Sequence, residues 1–494
     1  MLKELINIAN KVNRPLYVPF LDVTKAYDKA DLDAVLYSAY QRGLKGNTWQ
    51  LLKEMNSNLS ARIRTKHGLT RIIRMIGVMK QGVVSSTKLY SGHIDDIVKA
   101  LLQEGLGIPV NELGEIIAAL LWVDDIAGAT TDPNELQRIL NVIDDIAKRY
   151  RIEFGASKSK VLVIGAKKDT PTPTFYVGDM KLDYCDSYKY LGEHINSKNN
   201  LDNHLKELRG KVEGAYQTIL TVAQDRFFKG IQLETIWKMY QTSILAIILY
   251  SSETWRPRKG DLSKLNSLHE SYIKRILMTP ISTPREVIYL ETGLLDIEHM
   301  IYIRRINMYF RLQENTNELH EQLKSGGNNT WWTDTEDIMK RFSIDPMLMS
   351  RMGKGKRSKT IHEKVRESFI FSLLNQAADK SKLRYYLEHQ QGEFLIMKPY
   401  LMKLNRFEAS ALFKARCRMF EAKGNYKAKY TDLSCRLCNS DQESQDHVLL
   451  SCANGITGNG KFTIENLFRD NDLVELKRVA KSLIKTSDKL KAQP

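Results

Sequence analysis

The chain has 494 residues, 43% of them apolar and 27% charged, a composition that fits folded domains with a sizeable core and excludes a disordered polyelectrolyte. A net charge of +16 with an isoelectric point near 9.3 points to a polyanionic partner, nucleic acid first, or to a merely basic surface. No apolar run approaches the ~20 residues of a membrane span, and the amphipathic start Met1-Leu2-Lys3-Glu4-Leu5 lacks the apolar region of a secretory signal, so neither a membrane-spanning nor a secreted protein is expected.

In chain order, residues 1–15 pattern as a helix stopped by Pro15, and residues 16–23 as an apolar strand that delivers Asp22 at its end. Residues 30–56 read as helical. Residues 61–66 and 70–75 alternate around the turn signal His67-Gly68, giving a basic hairpin with Arg62, Arg64, Lys66, Arg71 and Arg74. Helices follow at 85–103 and 133–150, with a hairpin at 115–130 between them. A strand at 161–164, a linker at 170–174 and a small hairpin turned at Gly178-Asp179 complete an α+β pattern through about residue 195. From 196 to 430 the pattern is almost wholly helical. A polar, glycine-containing stretch at 324–336 includes Trp331-Trp332, and a basic stretch at 351–359 carries Arg351, Lys354, Lys356, Arg357 and Lys359. Residues 472–491 form a last basic amphipathic helix, and no tandem repeat is present.

Three Asp-Asp pairs occur in this chain. Asp95-Asp96 and Asp144-Asp145 lie within helical spacing of apolar residues. Asp124-Asp125 follows the apolar run 116–123, read as a buried strand, and precedes Ile126-Ala127-Gly128. Two like charges at the tip of an apolar hairpin need a cation, or one must stay protonated. Asp22, ending one strand, and Asp124 with Asp125 on a neighbouring hairpin can converge on one point, where two divalent ions such as Mg²⁺ would clamp a phosphoryl transfer; the alternative is three unrelated surface acids. Asp28 reads as structural, a helix cap.

Five cysteines are present: Cys185, Cys417, Cys435, Cys438 and Cys452. Three cluster near the end, which suits a reduced compartment with a metal site better than a disulfide framework. Cys435-x₂-Cys438-x₈-His447-x₄-Cys452 offers three thiolates and one imidazole, a closed tetrahedral set typical of structural zinc; the alternative is reduced, unliganded thiols. Cys185 and Cys417 stand apart as ordinary thiols. The basic hairpin and 351–359 are candidate phosphate contacts, with a flexible linker as the alternative for the latter. Trp331-Trp332 reads as a buried aromatic pair rather than a stacking platform.

Several segments together resemble one family. Phe20-Leu-Asp-Val-Thr-Lys-Ala-Tyr-Asp28 looks like the first palm motif of reverse transcriptases, Lys80-Gln-Gly-Val-Val-Ser-Ser86 the second, Trp122-Val-Asp-Asp125 the third, Lys158-Ser-Lys160 the fourth, and Tyr188-Lys-Tyr-Leu-Gly192 the primer grip. Their order and spacing resemble the non-LTR (LINE-type) retrotransposon polymerases, and Leu249-Tyr-Ser-Ser-Glu-Thr-Trp255 resembles that family's region after the polymerase.

The resemblance implies a right-hand polymerase palm at 1–195, a helical thumb at 196–290, a helical region at 291–430, a zinc knuckle at 431–455 and a basic C-terminal helix at 456–494. It implies that Asp22 and Asp124 bind two Mg²⁺ or Mn²⁺ ions with Asp125 as the adjacent acid. Tyr27 then screens the sugar 2′ position, Gln81 and Gly82 line the nascent base pair, and Lys158 protonates pyrophosphate. Tyr190, Leu191 and Gly192 grip the primer, and Cys435, Cys438, His447 and Cys452 hold structural Zn²⁺. The implied partners are an RNA template, a DNA primer or target and dNTPs, at an intracellular, nuclear site of action. The chain departs from the family at Thr87 (usually proline), Val123 (usually alanine or a similar small residue) and Gly155 (usually asparagine). Only about twenty residues precede Asp22, so the family's fingers and upstream endonuclease are expected to be missing. The rival expectation is a truncated, inactive relic that at most binds nucleic acid.

Overall fold

The computed structural model describes residues 1–11, 13–57, 59–74, 79, 82–109, 116–198, 200–224, 233–314, 330–390, 394, 396–456 and 462–493. The chain divides into two compact units, Met1–His204 with Asn315–Thr333, and Leu205–Glu314 with Asp334–Pro494.

The first unit is built on six strands: β1 (Leu16–Asp22), β2 (Ala119–Trp122), β3 (Asp125–Gly128), β4 (Lys160–Ile164), β5 (Phe175–Val177) and β6 (Met180–Cys185), in the order β5-β6-β4-β1-β3-β2. All neighbours run antiparallel except β4 and β6, which are parallel. Strand alternation divides β1 between two cores. Tyr17 and Leu21 face one core, with Leu89, Ile94, Ile97 and Leu101 of α4 (Val84–Gln103) and Leu136, Ile139, Leu140 and Ile143 of α5 (Pro133–Tyr150). Leu16, Val18 and Phe20 face the other, with Leu2, Leu5, Ile6 and Ala9 of α1 (Leu2–Lys11) and with Tyr190 and Ile195. Each such side chain, once buried, contributes roughly 1.5–3 kcal/mol, so β1 is clamped from both sides and its end is fixed.

The α+β expectation holds, with local differences. Residues 30–56 form two helices, α2 (Leu32–Gln41) and α3 (Gly46–Asn56), separated at Gly43, whose φ of 94° no helix accommodates. Asp28 is not a cap: it lies exposed in the single turn Ala26–Lys29, and Asp31 caps α2 by accepting from the Ala34 N–H. The strand before the acid pair is not buried either. β2 is the sheet edge, with one neighbour, and Trp122 is 64% exposed. The basic hairpin forms as expected, Arg64 pairing with Leu69 and Ser60 with Arg74.

The second unit is helical. Its main helices are α6 (Asp202–Gln224), α7 (Lys259–Ile276), α8 (Ile297–Glu314), α9 (Lys354–Ala378), α10 (Arg406–Arg416) and α11 (Leu473–Lys491). Residues 354–359 are the first turns of α9 rather than a linker, and Arg357 is buried over the Phe310 ring and paired with Glu314. Trp255, from the segment that resembles the family's post-polymerase region, is fully buried, its carbonyl accepting from Arg305. A buried charge network was not foreseen: Glu291 accepts from Tyr386, Tyr400 and Arg416, and Arg416 also binds Asp470 at 2.6 Å. Trp331 and Trp332, in the first unit's 315–333 segment, are both buried and meet edge to face. Among the described residues no helix is long and apolar enough to cross a membrane.

Candidate active site and metal centre

Three segments of the first unit bring the palm residues together. β1 ends at Asp22, whose cross-strand partner on β3 is Asp125. Because directly paired residues project to the same face, the two carboxylates share the face that carries Phe20. Asp124 lies in the two-residue turn between β2 and β3, and its carbonyl accepts from the Val23 N–H at 3.4 Å. Burial, then the charges of Asp124 and Asp22, push the Asp125 carboxyl above its ordinary range, and Lys158 partly opposes them. Lys158 Nζ lies 3.4 Å from Asp22 Oδ1 and 3.3 Å from Oδ2. Lys158 thus meets Asp22 and acts on Asp125, with Asp124 next to Asp125 in the turn; carboxylate oxygens of this kind are the ligands that suit divalent Mg²⁺.

Val123 bears the cost of this tight turn. Its φ is 58°, a region that β-branched residues avoid, so strain sits in the backbone of the turn. Gly155 donates its N–H to the Asp22 carbonyl at 2.9 Å, and a Cβ there would stand 3.5 Å from Asp22 Oδ2.

Other predicted residues flank the acids. Tyr27 is half-buried, its ring 5.6 Å from that of Tyr90, and its hydroxyl donates to Thr87 Oγ1 at 3.3 Å. Gly82 has φ 80° with open space where a Cβ would stand; Gln81 lies outside the described residues. Tyr190 belongs to β7 (Ser187–Tyr190), which pairs with β8 (Glu193–Asn196) across Leu191-Gly192. Both turn residues have positive φ, 48° and 82°, as a type I′ hairpin requires. This hairpin lies over β1 two residues before Asp22, with Tyr188 stacked on Phe20 at 4.2 Å and Tyr190 at 5.3 Å. Burial, then Asp22 and Asp125, push the Tyr188 hydroxyl up to about 12.

Sequence reasoning missed Ser159. It is fully buried, and its hydroxyl accepts from the Asp22 N–H at 3.2 Å, fixing the strand end from the residue that leads into β4. Its place inside Lys158-Ser-Lys160, before an apolar strand, was the available signal.

The second unit holds the Cys/His set. The ligand atoms of Cys435, Cys438, His447 and Cys452 all lie within 4.8 Å of one another. Cys435 Sγ is 3.9 Å from Cys452 Sγ, and Cys438 Sγ is 3.3 Å from His447 Nε2. Tetrahedral zinc with Zn–S of ~2.3 Å and Zn–N of ~2.0 Å requires edges of roughly 3.8 and 3.5 Å, so the residues fit the ion. His447 Nδ1 lies 3.3 Å from Ser451 Oγ, which orients Nε2 inward. Hydrogen bonds from Ser440 hold the Cys438 thiol down at about 6, while burial holds Cys452 up at about 11. Gly455 lets the chain close over the centre: a Cβ there would stand 2.2 Å from the Val448 carbonyl oxygen. Among the described residues this is the one group of potential ligands drawn so close; the palm aspartates are not. Cys417 is buried and Cys185 half-buried.

Comparison with known proteins bears on the first unit. Residues 2–195 match the family described as reverse transcriptase (RNA-dependent DNA polymerase). A transposon-derived protein of Caenorhabditis elegans is 23% identical over 176 residues, 35% of this chain and 61% of that protein. The retrovirus-related Pol polyprotein from type-1 retrotransposable element R2 of Nasonia vitripennis is 26% identical over 206 residues, 40% of this chain and 20% of that protein. The chain thus spans less than two thirds of either relative. Among solved structures, telomerases of Candida albicans and Candida tropicalis, each with a fragment of telomeric RNA, are 10% and 13% identical. Each match covers 66% of this chain and 52% or 51% of the telomerase, with TM-scores of 0.29 and 0.30, too loose to bear on the arrangement.

Proposed function

We propose that the reverse-transcriptase domain at residues 2–195, whose relatives are retrotransposon proteins, synthesises DNA on an RNA template by adding deoxynucleotides to a primer 3′ end. The observation that carries this reading is the direct pairing of Asp22 with Asp125 beside Asp124, with the Lys158 ammonium 3.3 Å from Asp22. Asp22 and Asp124 would hold the divalent ions, with Asp125 beside them. When bound, such ions activate the primer oxygen and stabilise the charge that develops on the leaving pyrophosphate.

The chain's own groups supply position and protons. Ser159 and Gly155 fix the backbone of Asp22 through its N–H and carbonyl. Lys158, freed from Asp22 when a cation takes its place, delivers a proton to the pyrophosphate oxygen. The Tyr27 ring stands against the sugar C2′ and excludes a ribonucleotide hydroxyl. Gly82 admits the nascent base pair, and the Tyr190-Leu191-Gly192 turn supports the primer end. Cys435, Cys438, His447 and Cys452 hold zinc as a structural staple. By its resemblance to retrotransposon proteins the chain would act on DNA in the nucleus.

Primer extension on an RNA template with Mg²⁺ and dNTPs tests the reading, with Asp124→Ala as control. Extension that disappears in the variant supports it. No extension by well-folded, zinc-loaded protein that still binds RNA overturns it in favour of an inactive nucleic-acid-binding relic.

A further inference from the structure

The last helix, α11, carries four lysines at a regular helical spacing. Its apolar side is spent on the protein: Leu476, Val479, Ala480, Leu483 and Leu490 are buried, and the helix packs on α10. On the outer side, Lys477, Lys481, Lys485 and Lys489 recur every fourth residue, all exposed. At ~1.5 Å rise per residue they climb in steps of about 6 Å and drift slowly around the helix, a continuous cationic stripe of roughly 18 Å.

Three exposed lysines on other helices sit one turn from an acid and pair with it: Lys148 with Asp144, Lys211 with Glu207 and Lys238 with Glu234. On α11 one exposed acid, Asp488, stands among four lysines, which leaves the stripe with a net positive charge. Glu475 is taken by Arg478, and Lys477, Lys481 and Lys485 make no ion pair with another described residue. Like charges four apart on a helix repel, so the stripe weakens the helix that carries it, and packing gives no reason for it. The far end of the helix is tied to the Cys/His centre: Arg436 donates to the Leu490 carbonyl at 2.8 Å, and Lys489 to that of Asn454 at 3.4 Å.

We propose that the Lys477–Lys481–Lys485–Lys489 stripe is a docking surface for the phosphate backbone of a single-stranded nucleic acid, held in place by the Cys/His centre. Charge complementarity selects the occupant. A regular row of exposed ammonium groups matches a polymer of regularly spaced phosphates and reads no sequence. An anionic membrane is disfavoured, because interfacial helices insert an apolar face and that of α11 is already buried. The proposal deepens the nucleic-acid partnership of the polymerase reading, but its readout is binding, so a silent polymerase leaves the test intact.

The test uses the full chain and a fluorescent mixed-sequence single-stranded RNA, with binding followed across a salt titration. Lys477→Gln, Lys481→Gln and Lys485→Gln are combined in one variant. Lys148→Gln, Lys211→Gln and Lys238→Gln form a second variant with the same change of net charge. Glutamine keeps the helix propensity, and circular dichroism checks each fold. The stripe variant is expected to bind about tenfold or more weakly at moderate salt, with the slope of log K against log salt shallower by about 2; the paired-lysine variant stays close to the unaltered chain. Equal losses in the two variants overturn the proposal. So does a stripe variant that keeps its RNA affinity but loses binding to vesicles of phosphatidylcholine and phosphatidylserine in equal parts.

Discussion

At the Cys/His centre four ligand atoms already lie within 4.8 Å of one another, and Ser451 orients the imidazole. At the end of β1 the carboxylates repel instead. Asp125 holds its proton more tightly than an ordinary aspartate because it is partly buried and Asp124 and Asp22 crowd it, and Lys158 leans on Asp22 in the manner of a counter-ion. One site is complete before use, and the other keeps a charge imbalance that an exchangeable cation and a phosphate substrate would resolve. That contrast separates a structural metal from a catalytic one.

The largest effect should come from the closed site. Cys435→Ser, or chelation, removes a tetrahedral anchor whose counterpart in small zinc domains contributes ~10–16 kcal/mol. The region around 431–455 should lose its cooperative melting transition, whereas first-unit amide-exchange protection should not change. Next comes the open site. Asp22→Asn should lower extension on the order of 10³-fold, since several kcal/mol of charge stabilisation is lost, and should shift melting hardly at all. If both variants unfold their units alike, the contrast fails. Gly455→Ala comes third. Its Cβ would meet the Val448 oxygen at 2.2 Å, and relief should cost ~3 kcal/mol, read as zinc released at lower denaturant.

Acid offers a fourth comparison. Burial holds His269 down at about 4 against an ordinary 6.5, while Tyr240 and the Leu295 carbonyl occupy its two ring nitrogens. The unfolded chain therefore takes the proton first as pH falls, and stability is lost progressively from about 6.5 down to about 4, by about 3 kcal/mol in all. His93 in the first unit is likewise held down at about 4 by burial. Denaturant melts at pH 7 and pH 5 should show both units weakening, and His269→Asn should flatten the slope for the second unit alone. The smallest effect belongs to Asp125→Asn. A raised carboxyl disfavours the charged fold once pH exceeds its unfolded value, so this variant should melt higher than the unaltered metal-free chain at pH 7, with the gain shrinking towards pH 4.

Local patterns carried much of this from the sequence. The apolar run before Asp22, the two-residue turn at the acid pair and the Cys-x₂-Cys spacing each report a geometry completed within a few residues, and each could be read. What depends on distant neighbours could not. Ser159 touches Asp22 across 137 positions of sequence; its place between Lys158 and Lys160 before an apolar strand is a local signal, but it does not name Asp22 as the partner. Trp122 looked buried because its run is apolar, yet the strand order leaves it on the edge. Arg416 is held by Glu291 and Asp470, 125 and 54 positions away, so nothing near it in sequence marks it as buried. Asp31 took the cap expected at Asp28 because the chain turns only once before α2 begins.

The most direct test of the account is a chelation and add-back series on a single preparation, following RNA-templated primer extension and zinc content together. Brief EDTA treatment should abolish extension while one zinc per chain remains, and Mg²⁺ alone should restore it, in the unaltered chain and not in Asp124→Ala. Extension that survives removal of Mg²⁺, or that returns only when zinc is supplied, would contradict the assignment of catalysis to the aspartates.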